Sequence, residues 1–343
     1  MPQSDKINRQ WVLNERPVGE PNASTLRMEE KPVPSAGPNE MLLRTEYLSL
    51  DPYMRGRMSD AASYAAPVEI GQPMVGGTVA QVVQSNLKGY AEGDWVLCGN
   101  GWQDYAVSDG TMAMNLGRAP KHPSWSLGIM GMPGFTAWAG LTQIGAPKAG
   151  ETLVVAAATG PVGATVGQIA KIMGLRVVGI AGGAEKCAYA VEKLGFDACI
   201  DHKSASFKAD LKAAVPSGID IYFENVGGHV FDAVVGLLNP FARVPVCGLI
   251  AGYNATSLPE GPDRMGWLMG NLLRKKIRMQ GFIIFDNFGH LYPEFAKAMS
   301  GWIAEGKIHY REEMIEGLEE APRAFIGLLR GENFGKRVIH VAT

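Results

Sequence analysis

The sequence predicts an α/β protein: a doubly wound, six-stranded parallel sheet joined to a smaller, mostly antiparallel β domain. Three observations predict it. From about residue 150 to 300, short apolar runs alternate with amphipathic stretches at helical spacing, as a parallel sheet with crossover helices requires. Residues 1 to about 125 instead carry short alternating segments separated by proline and glycine clusters, notably over 32–38. Within the first pattern, residues 151–186 read as strand, glycine turn, helix and second strand, the order of a dinucleotide-binding unit.

Taken in chain order, the β domain begins with candidate strands at 11–13, 41–50, 74–83, 94–97 and 102–107. The parallel sheet then takes 152–157, 176–180, 198–201, 219–224, 242–248 and 277–284. A last strand-like run at 337–341 returns to the β domain. The expected division is therefore 1–126 with 305–343 for the β domain and 127–304 for the Rossmann domain. Residues 225–228 follow the fourth parallel strand and 247–250 close the fifth, so both loops are expected at the carboxyl ends of the sheet, where such folds bind ligands.

The glycine turn is Ala158-Thr159-Gly160-Pro161-Val162-Gly163, with alanine where the dinucleotide fingerprint has its first glycine. Gly160 lets the backbone approach a pyrophosphate and Gly163 lets helix and strand pack closely. The helix start supplies N–H groups and partial positive charge. Val162, Val166, Ile169, Ala170 and Met173 recur at helical spacing, and Gly174 is placed to end that helix. About 20 residues beyond the glycines, an NAD site carries a carboxylate for the ribose hydroxyls. Here Ala181-Gly182-Gly183-Ala184 stands at that point, followed by Glu185-Lys186. Small residues leave room for a 2′-phosphate and Lys186 offers a cation, so NADPH is the expected cofactor; a solvated lysine in the first turn of a helix is the plainer reading of Lys186.

Composition excludes other classes. At 343 residues, with 46% hydrophobic residues and 43 glycines, the chain suits a turn-rich two-domain protein. A net charge of -2 gives no electrostatic case for nucleic acid or an anionic membrane surface. No apolar run approaches the length of a membrane span, and MPQSDKINRQ lacks a signal-peptide core, so a cytoplasmic location is expected. Cys98, Cys187, Cys199 and Cys247 are scattered without a Cys-x-x-Cys pair, which suggests neither structural zinc nor a disulfide framework. Cys199 and Cys247 fall in predicted buried strands and read most simply as core residues.

Five segments carry a resemblance. They are Leu50-Asp51-Pro52-Tyr53-Met54-Arg55, Gly131-Met132-Pro133-Gly134-Phe135-Thr136-Ala137, the AAATGPVGATVGQIAK turn, Glu224-Asn225-Val226-Gly227-Gly228 and Asn333-Phe334-Gly335-Lys336. In this order they resemble the zinc-independent branch of the medium-chain dehydrogenase/reductase superfamily. That branch holds the leukotriene B4 12-hydroxydehydrogenases/prostaglandin reductases and the plant alkenal double-bond reductases. The resemblance implies a GroES-like β domain and an NADPH-dependent oxidoreductase. Gly71-Gln72-Pro73 stands where zinc alcohol dehydrogenases carry Gly-His-Glu, and the first cysteine is Cys98, so no metal is expected. Without Zn2+ as Lewis acid, alcohol oxidation is disfavoured.

Hydride addition to an enone needs less help, because the conjugated carbonyl accepts the charge and hydroxyl donors can stabilise the enolate. The resemblance implies Tyr253 as the first catalytic candidate, near the nicotinamide ribose, with Tyr53 and Tyr64 as substrate-positioning groups. Each has a plain alternative: a loop-packing Tyr253, a core-anchoring Tyr53 and a surface Tyr64. It further implies Lys186, Gly182 and His202 at the 2′-phosphate, Thr159, Gly160, Pro161, Val162 and Gly163 at the pyrophosphate, and Asn225, Cys247, Gly248 and Leu249 along the middle. Pro52, Gly134, Thr136, Phe282, Ile283, Ile284 and Asn333 complete the implied cofactor contacts. His202 stands where many relatives have tyrosine, and a surface histidine is an equal reading. Asp51, Arg55 and Arg57 read as a structural ion network rather than acid/base groups.

The expected activity is reduction of activated C=C bonds in α,β-unsaturated ketones and aldehydes, including bulky curcumin-type enones. A quinone reductase and a non-catalytic, crystallin-like NADPH-binding protein stay open as alternatives. The run 277–284 is long and apolar, and as the sixth, edge strand it needs protection. Pairing with its copy, as the resemblance implies, predicts a homodimer.

Overall fold

The computed structural model describes residues 7–341. The described chain divides into two compact units, one of residues 7–128 and 312–341, the other of residues 129–311.

The first unit opens with β1 (Ile7–Leu13), β2 (Leu26–Pro32), β3 (Met41–Ser49), a short helix α1 (Met54–Arg57), β4 (Thr78–Ser85), β5 (Trp95–Cys98), β6 (Tyr105–Ser108) and β7 (Met114–Gly117). The second unit runs α2 (Met132–Ala139), β8 (Thr152–Ala156), α3 (Pro161–Ile172), β9 (Arg176–Ala181), α4 (Ala184–Glu192), β10 (Ala198–Asp201), α5 (Phe207–Ala214), β11 (Ile219–Phe223), α6 (Gly228–Val235), β12 (Leu238–Val246), α7 (Met265–Lys275), β13 (Arg278–Gly281), α8 (Ile284–Phe288) and α9 (Tyr292–Ala304). The chain then returns to the first unit with β14 (Glu312–Glu316), α10 (Ala321–Leu329) and β15 (Lys336–His340).

In the second unit six parallel strands are ordered β10-β9-β8-β11-β12-β13. The chain steps outward from β8 to β9 and β10, then crosses to β11 on the other side. This reversal is the switch point at which doubly wound sheets bind ligands. All five residues of β8 are buried, as expected of a strand covered on both faces. The core on one face joins Val154, Val178, Phe207, Leu211, Tyr222, Val234 and Val244. Helix α3 begins at Pro161, whose missing N–H costs nothing in a first turn, and Gly174 (φ 80°) stands just past its end.

In the first unit, β14-β15-β3-β4-β5-β7 form one sheet, with β6 also paired to β3; β1 and β2 form a separate hairpin. All its pairs are antiparallel except β14 with β15. Trp102, Met54, Met58, Leu48, Phe325 and Ile339 make its main core, with the Trp102 and Phe325 rings edge to face at 5.7 Å.

Several expected strands change. The run 277–284 is not one strand: β13 keeps only Arg278–Gly281, and Ile284 opens α8. Phe282 and Ile284 owe their apolar character to burial beyond the strand rather than to the ladder. The fifth strand lies earlier than 242–248, over Leu238–Val246, so Cys247 and Gly248 stand in the loop beyond it. The segment 74–77 precedes β4; Met74 bonds the Trp11 carbonyl through its N–H and accepts the Trp102 N–H. Strands β2, β7 and β14 were not expected. Among the described residues no helix is long and apolar enough to cross a membrane.

Candidate active site and cofactor cradle

At the carboxyl end of β8 the backbone turns sharply. Ala157, one residue before the position expected to replace the first glycine, takes a left-handed conformation at φ 53°. Its carbonyl accepts the Gly160 N–H at 2.9 Å. A Cβ at Gly163 would collide with that same carbonyl oxygen, which explains glycine there by close approach. Gly160 is different: extended at φ -75° and ψ 165°, it caps α3 and meets only Ala157, at 3.3 Å or more. Its other side is open, which fits a backbone that a pyrophosphate can approach. Thr159 is buried, while Pro161 and Val162 form the first turn of α3.

At the end of β9, a Cβ on Gly182 would stand 3.0 Å from His202 Nε2 and 3.1 Å from Lys203 Cε. Small residues at this strand end therefore make room for side chains from the end of β10. Asp201 is the nearby carboxylate, and it is committed to backbone: Oδ1 accepts the Gly183 and Lys203 N–H groups, both at 2.9 Å. These bonds hold its carboxyl below the usual range. Burial and the neighbouring His229, Lys203 and Lys186 charges push His202 down. Its ring lies 5.3 Å from that of His229, beside a cleft of about 390 Å³ that Ser204, Phe207 and Lys208 also line. Lys186 lies in the first turn of α4. Lys203 escaped the sequence reading; adjacency of β9 and β10 ends in a parallel sheet was the signal for it.

The ends of β8, β11 and β12 are tied together by Asn225. Its Nδ2 donates to the Ala156 carbonyl at 2.8 Å, and its Oδ1 accepts the Cys247 thiol at 2.8 Å. Both amide atoms expected along the cofactor thus hold the strand ends. Glu224, only 1% exposed, clasps its own loop: Oε1 accepts the Val226 N–H at 2.6 Å, the Gly227 N–H at 2.9 Å and the Tyr222 hydroxyl at 3.1 Å. Burial raises its pKa against these bonds. A Cβ at Gly248 would lie 3.3 Å from the Asn225 carbonyl oxygen and 3.5 Å from Tyr253 Oη. Tyr253 follows a short 3-10 turn, is half-buried, and its Oη accepts the Leu249 N–H at 3.3 Å. Phe282 is buried against Phe223 and Phe288, and the Ile283 N–H donates to Asn287 Oδ1 at 2.8 Å. Gly134 and Thr136 are buried within α2, where a Cβ on Gly134 would overlap the Ile129 carbonyl.

In the first unit, the Asp51-Pro52-Tyr53 turn starts α1. The Arg57 guanidinium lies 5.9 Å from the Tyr53 ring centre and 5.2 Å from that of Tyr64, and it donates to the Ala66 carbonyl at 3.0 Å. It thus brings two of the three tyrosines together, although Tyr64 is exposed. Burial, with Asp51 nearby, raises the Tyr53 phenol well above its usual pKa, so it stays an O–H. Asp51 pairs with Lys336 Nζ at 2.7 Å rather than with either arginine; Arg55 holds the Gly19 and Pro17 carbonyls. The ion network expected of Asp51, Arg55 and Arg57 is therefore three separate anchorings. Lys336 escaped the sequence reading as a partner. Asn333 Nδ2 donates to the Gly335 carbonyl at 3.0 Å. Among the described residues no group of three or more His, Cys, Asp or Glu side chains is placed to hold a metal ion.

A doubly wound sheet with a glycine turn at its switch point, in a chain that also builds a mostly antiparallel β unit, defines a nucleotide-dependent dehydrogenase/reductase. The comparisons agree. Residues 9–116 match the model of an N-terminal domain of oxidoreductase, and residues 161–304 that of a zinc-binding dehydrogenase. The chain is 61% identical over 342 residues to the NADPH-dependent curcumin reductase of Escherichia coli (strain K12), covering 100% of this chain and 99% of that one. It is 39% identical over 341 residues to the 2-alkenal reductase (NADP(+)-dependent) of Nicotiana tabacum, covering 98% of each. The crystal structure of CurA in complex with NADPH from Vibrio vulnificus superposes with a TM-score of 0.96 at 62% identity, covering 98% of this chain and 99% of that one. The chain belongs to the medium-chain dehydrogenase/reductase family that contains the prostaglandin reductases and alkenal reductases.

Proposed function

We propose that the chain is an NADPH-dependent reductase of activated C=C bonds in α,β-unsaturated ketones and aldehydes, including diaryl enones of the curcumin kind. The observation that carries this reading is the 61% identity, over the whole chain, with a curcumin reductase. The local chemistry supports it. The open backbone at Gly160 and the α3 start suit a pyrophosphate, and Gly182 with His202, Lys203 and Lys186 suits a 2′-phosphate. When bound, NADPH supplies the hydride that adds to the β-carbon of the enone.

What remains for the side chains is to hold the carbonyl oxygen as it gains charge and to bring a proton to the α-carbon. Tyr253 is assigned this work. A phenol oxygen that accepts a backbone N–H remains a donor through its own O–H. Tyr53 and Tyr64 are assigned to positioning the substrate, with Arg57 holding both rings. Asn225, Cys247, Gly248 and Leu249 are assigned to the middle of the cofactor and Phe282, Ile283, Ile284 and Asn333 to its nicotinamide half, with Gly134, Thr136 and Pro52 as further cofactor contacts. The working form is a cytoplasmic homodimer joined at the edge strand β13. The exposed Met265, Trp267, Met269 and Leu273 of α7, the helix that leads into β13, favour a covered surface there.

The test is NADPH oxidation with a panel of an enal, a diaryl enone, a quinone and a saturated aldehyde. Turnover of the enal and enone is expected, with kcat lowered about a hundredfold in Tyr253→Phe. Turnover of the quinone alone, or an unchanged Tyr253→Phe, would sink the reading. A monomer by light scattering would remove the dimer.

A further inference from the structure

Two histidines far apart in sequence meet beside the end of β10. His202 directly follows Asp201, the last residue of that strand, and His229 stands in the first turn of α6. Their ring centres are 5.3 Å apart, with the planes tilted by 47°. Phe207 of α5 meets the His229 ring edge to face at 6.1 Å and so backs the pair. Both imidazoles border the same cleft of about 390 Å³, which Lys208 also lines. Gly182 brings the end of β9 close to this pair, since a Cβ there would stand 3.0 Å from His202 Nε2. His202 is half-buried and His229 is exposed.

The charges around His202 are one-sided. Burial is the largest influence against a positive ring, and His229, Lys203 and Lys186 of α4 add to it. Lys208 supplies a further cation from α5. Asp201 favours the charged ring, but its Oδ1 already accepts the Gly183 and Lys203 N–H groups. Asp210 of α5 accepts the Ser206 hydroxyl at 2.6 Å, and Glu185 of α4 is exposed. An imidazole held below its ordinary value is uncharged at neutral pH. What the cluster lacks is an anion.

We propose that His202, coupled to His229, is a titratable clamp for the 2′-phosphate of NADPH, taking up a proton from water as the dianion binds, so that preference for NADPH over NADH grows as pH falls. This rests on the reading that Gly182, Lys186, His202 and Lys203 take the 2′-phosphate. A phosphate dianion beside the ring favours the imidazolium, in which both nitrogens donate. His229 acts in the opposite sense. A second imidazole at 5.3 Å disfavours two charges in the free pair, so the proton arrives with the ligand rather than before it. The sign follows from linkage. Binding raises the proton affinity of His202, so NADPH binds most weakly at high pH and more tightly as pH falls toward the free ring's value. A tenfold rise in that proton affinity lowers Kd by at most about tenfold. Below about pH 6 the phosphate takes up its own second proton and the gain stops.

The test is calorimetry of NADPH, NADH and 2′,5′-ADP binding to the full chain between about pH 8 and pH 6.5, in two buffers of unlike ionisation enthalpy. The Kd for NADPH and for 2′,5′-ADP should fall about fivefold across this range, with net proton uptake, while that for NADH stays flat. His202→Gln should lose both the uptake and the slope; retained NADH binding shows that the variant is folded. His229→Gln should keep the slope and move its midpoint to higher pH, because no second charge then opposes His202. NADPH binding without proton uptake, or a slope that survives His202→Gln, overturns the clamp. An unmoved midpoint in His229→Gln overturns the coupling. If NADPH binds no better than NADH at any pH, the 2′-phosphate reading itself falls. A preference for NADPH that is flat with pH leaves that reading standing and removes only the clamp.

Discussion

The two units bury acids in opposite ways. In the β-rich unit Asp51 is answered by a lysine: Lys336, 1% exposed, donates to Asp51 at 2.7 Å, to Ser49 Oγ at 2.6 Å and to the Leu50 carbonyl at 2.8 Å. In the nucleotide-type unit Glu224 has no such cation. It is answered by two backbone N–H groups and a tyrosine hydroxyl, and its Oε2 is buried with no hydrogen-bond partner among the described residues. The first arrangement joins the start of α1 to the last strand and needs charge at both ends. The second shapes one loop, residues 224–227, and needs only an acceptor at Oε1. A charge that staples distant segments should therefore matter more than one that folds its own neighbourhood.

The largest expected effect breaks the first arrangement. Lys336→Met leaves Asp51 buried without its cation, and loss of about 3–5 kcal/mol is expected in chemical denaturation. Replacing both partners, as Asp51→Leu with Lys336→Met, should cost less than the single change, because no uncompensated charge remains. If the single and double variants fall equally, packing and not charge pairing explains the site.

Glu224 sharpens the contrast through pH. Burial raises its pKa above the ordinary 4.5, so the folded state binds the proton more tightly than the unfolded one. Its contribution to stability is then fully present below the unfolded value and is lost as pH rises through the folded value. Glu224→Gln keeps the Oε1 acceptor and removes this titration. As pH rises above the ordinary carboxylate range the variant should gain on the parent, read from paired melts. A difference that stays flat with pH would show that Glu224 is ionised throughout.

The same contrast marks what the sequence could tell. Local features were legible: the buried strand β8, the close approach at Gly163, the helix end at Gly174 and the run of parallel strands all follow from neighbours within a few residues. Strands β2 (LRMEEKP) and β14 (EEMIE) were not, because their partners rather than their own apolar pattern define them. The run 277–284 misled for the opposite reason, since burial makes Phe282 and Ile284 apolar whether or not they lie in a ladder. In the candidate site, the glycine turn was readable. Lys336 with Asp51 and Arg57 with Tyr64 depend on contacts between separate segments, and no spacing in the chain announces them.

The smallest expected effect lies at Ala157, where the cost is held in the backbone rather than in a charge. Its left-handed φ of 53° puts Cβ against the following carbonyl, a penalty of about 1–2 kcal/mol. Glycine removes it, and the extra freedom of the unfolded chain returns about 0.5–1 kcal/mol. Ala157→Gly should therefore stabilise by a few tenths to about 1 kcal/mol in denaturant titration. The Ala157 carbonyl, which accepts the Gly160 N–H and sits against Gly163, stays in place, so the turn keeps its shape and NADPH affinity should not change. A loss of stability would mean that the Ala157 methyl makes contacts worth more than the strain. A loss of NADPH affinity with stability intact would mean that the alanine, by stiffening the turn, holds Gly160 in its open conformation.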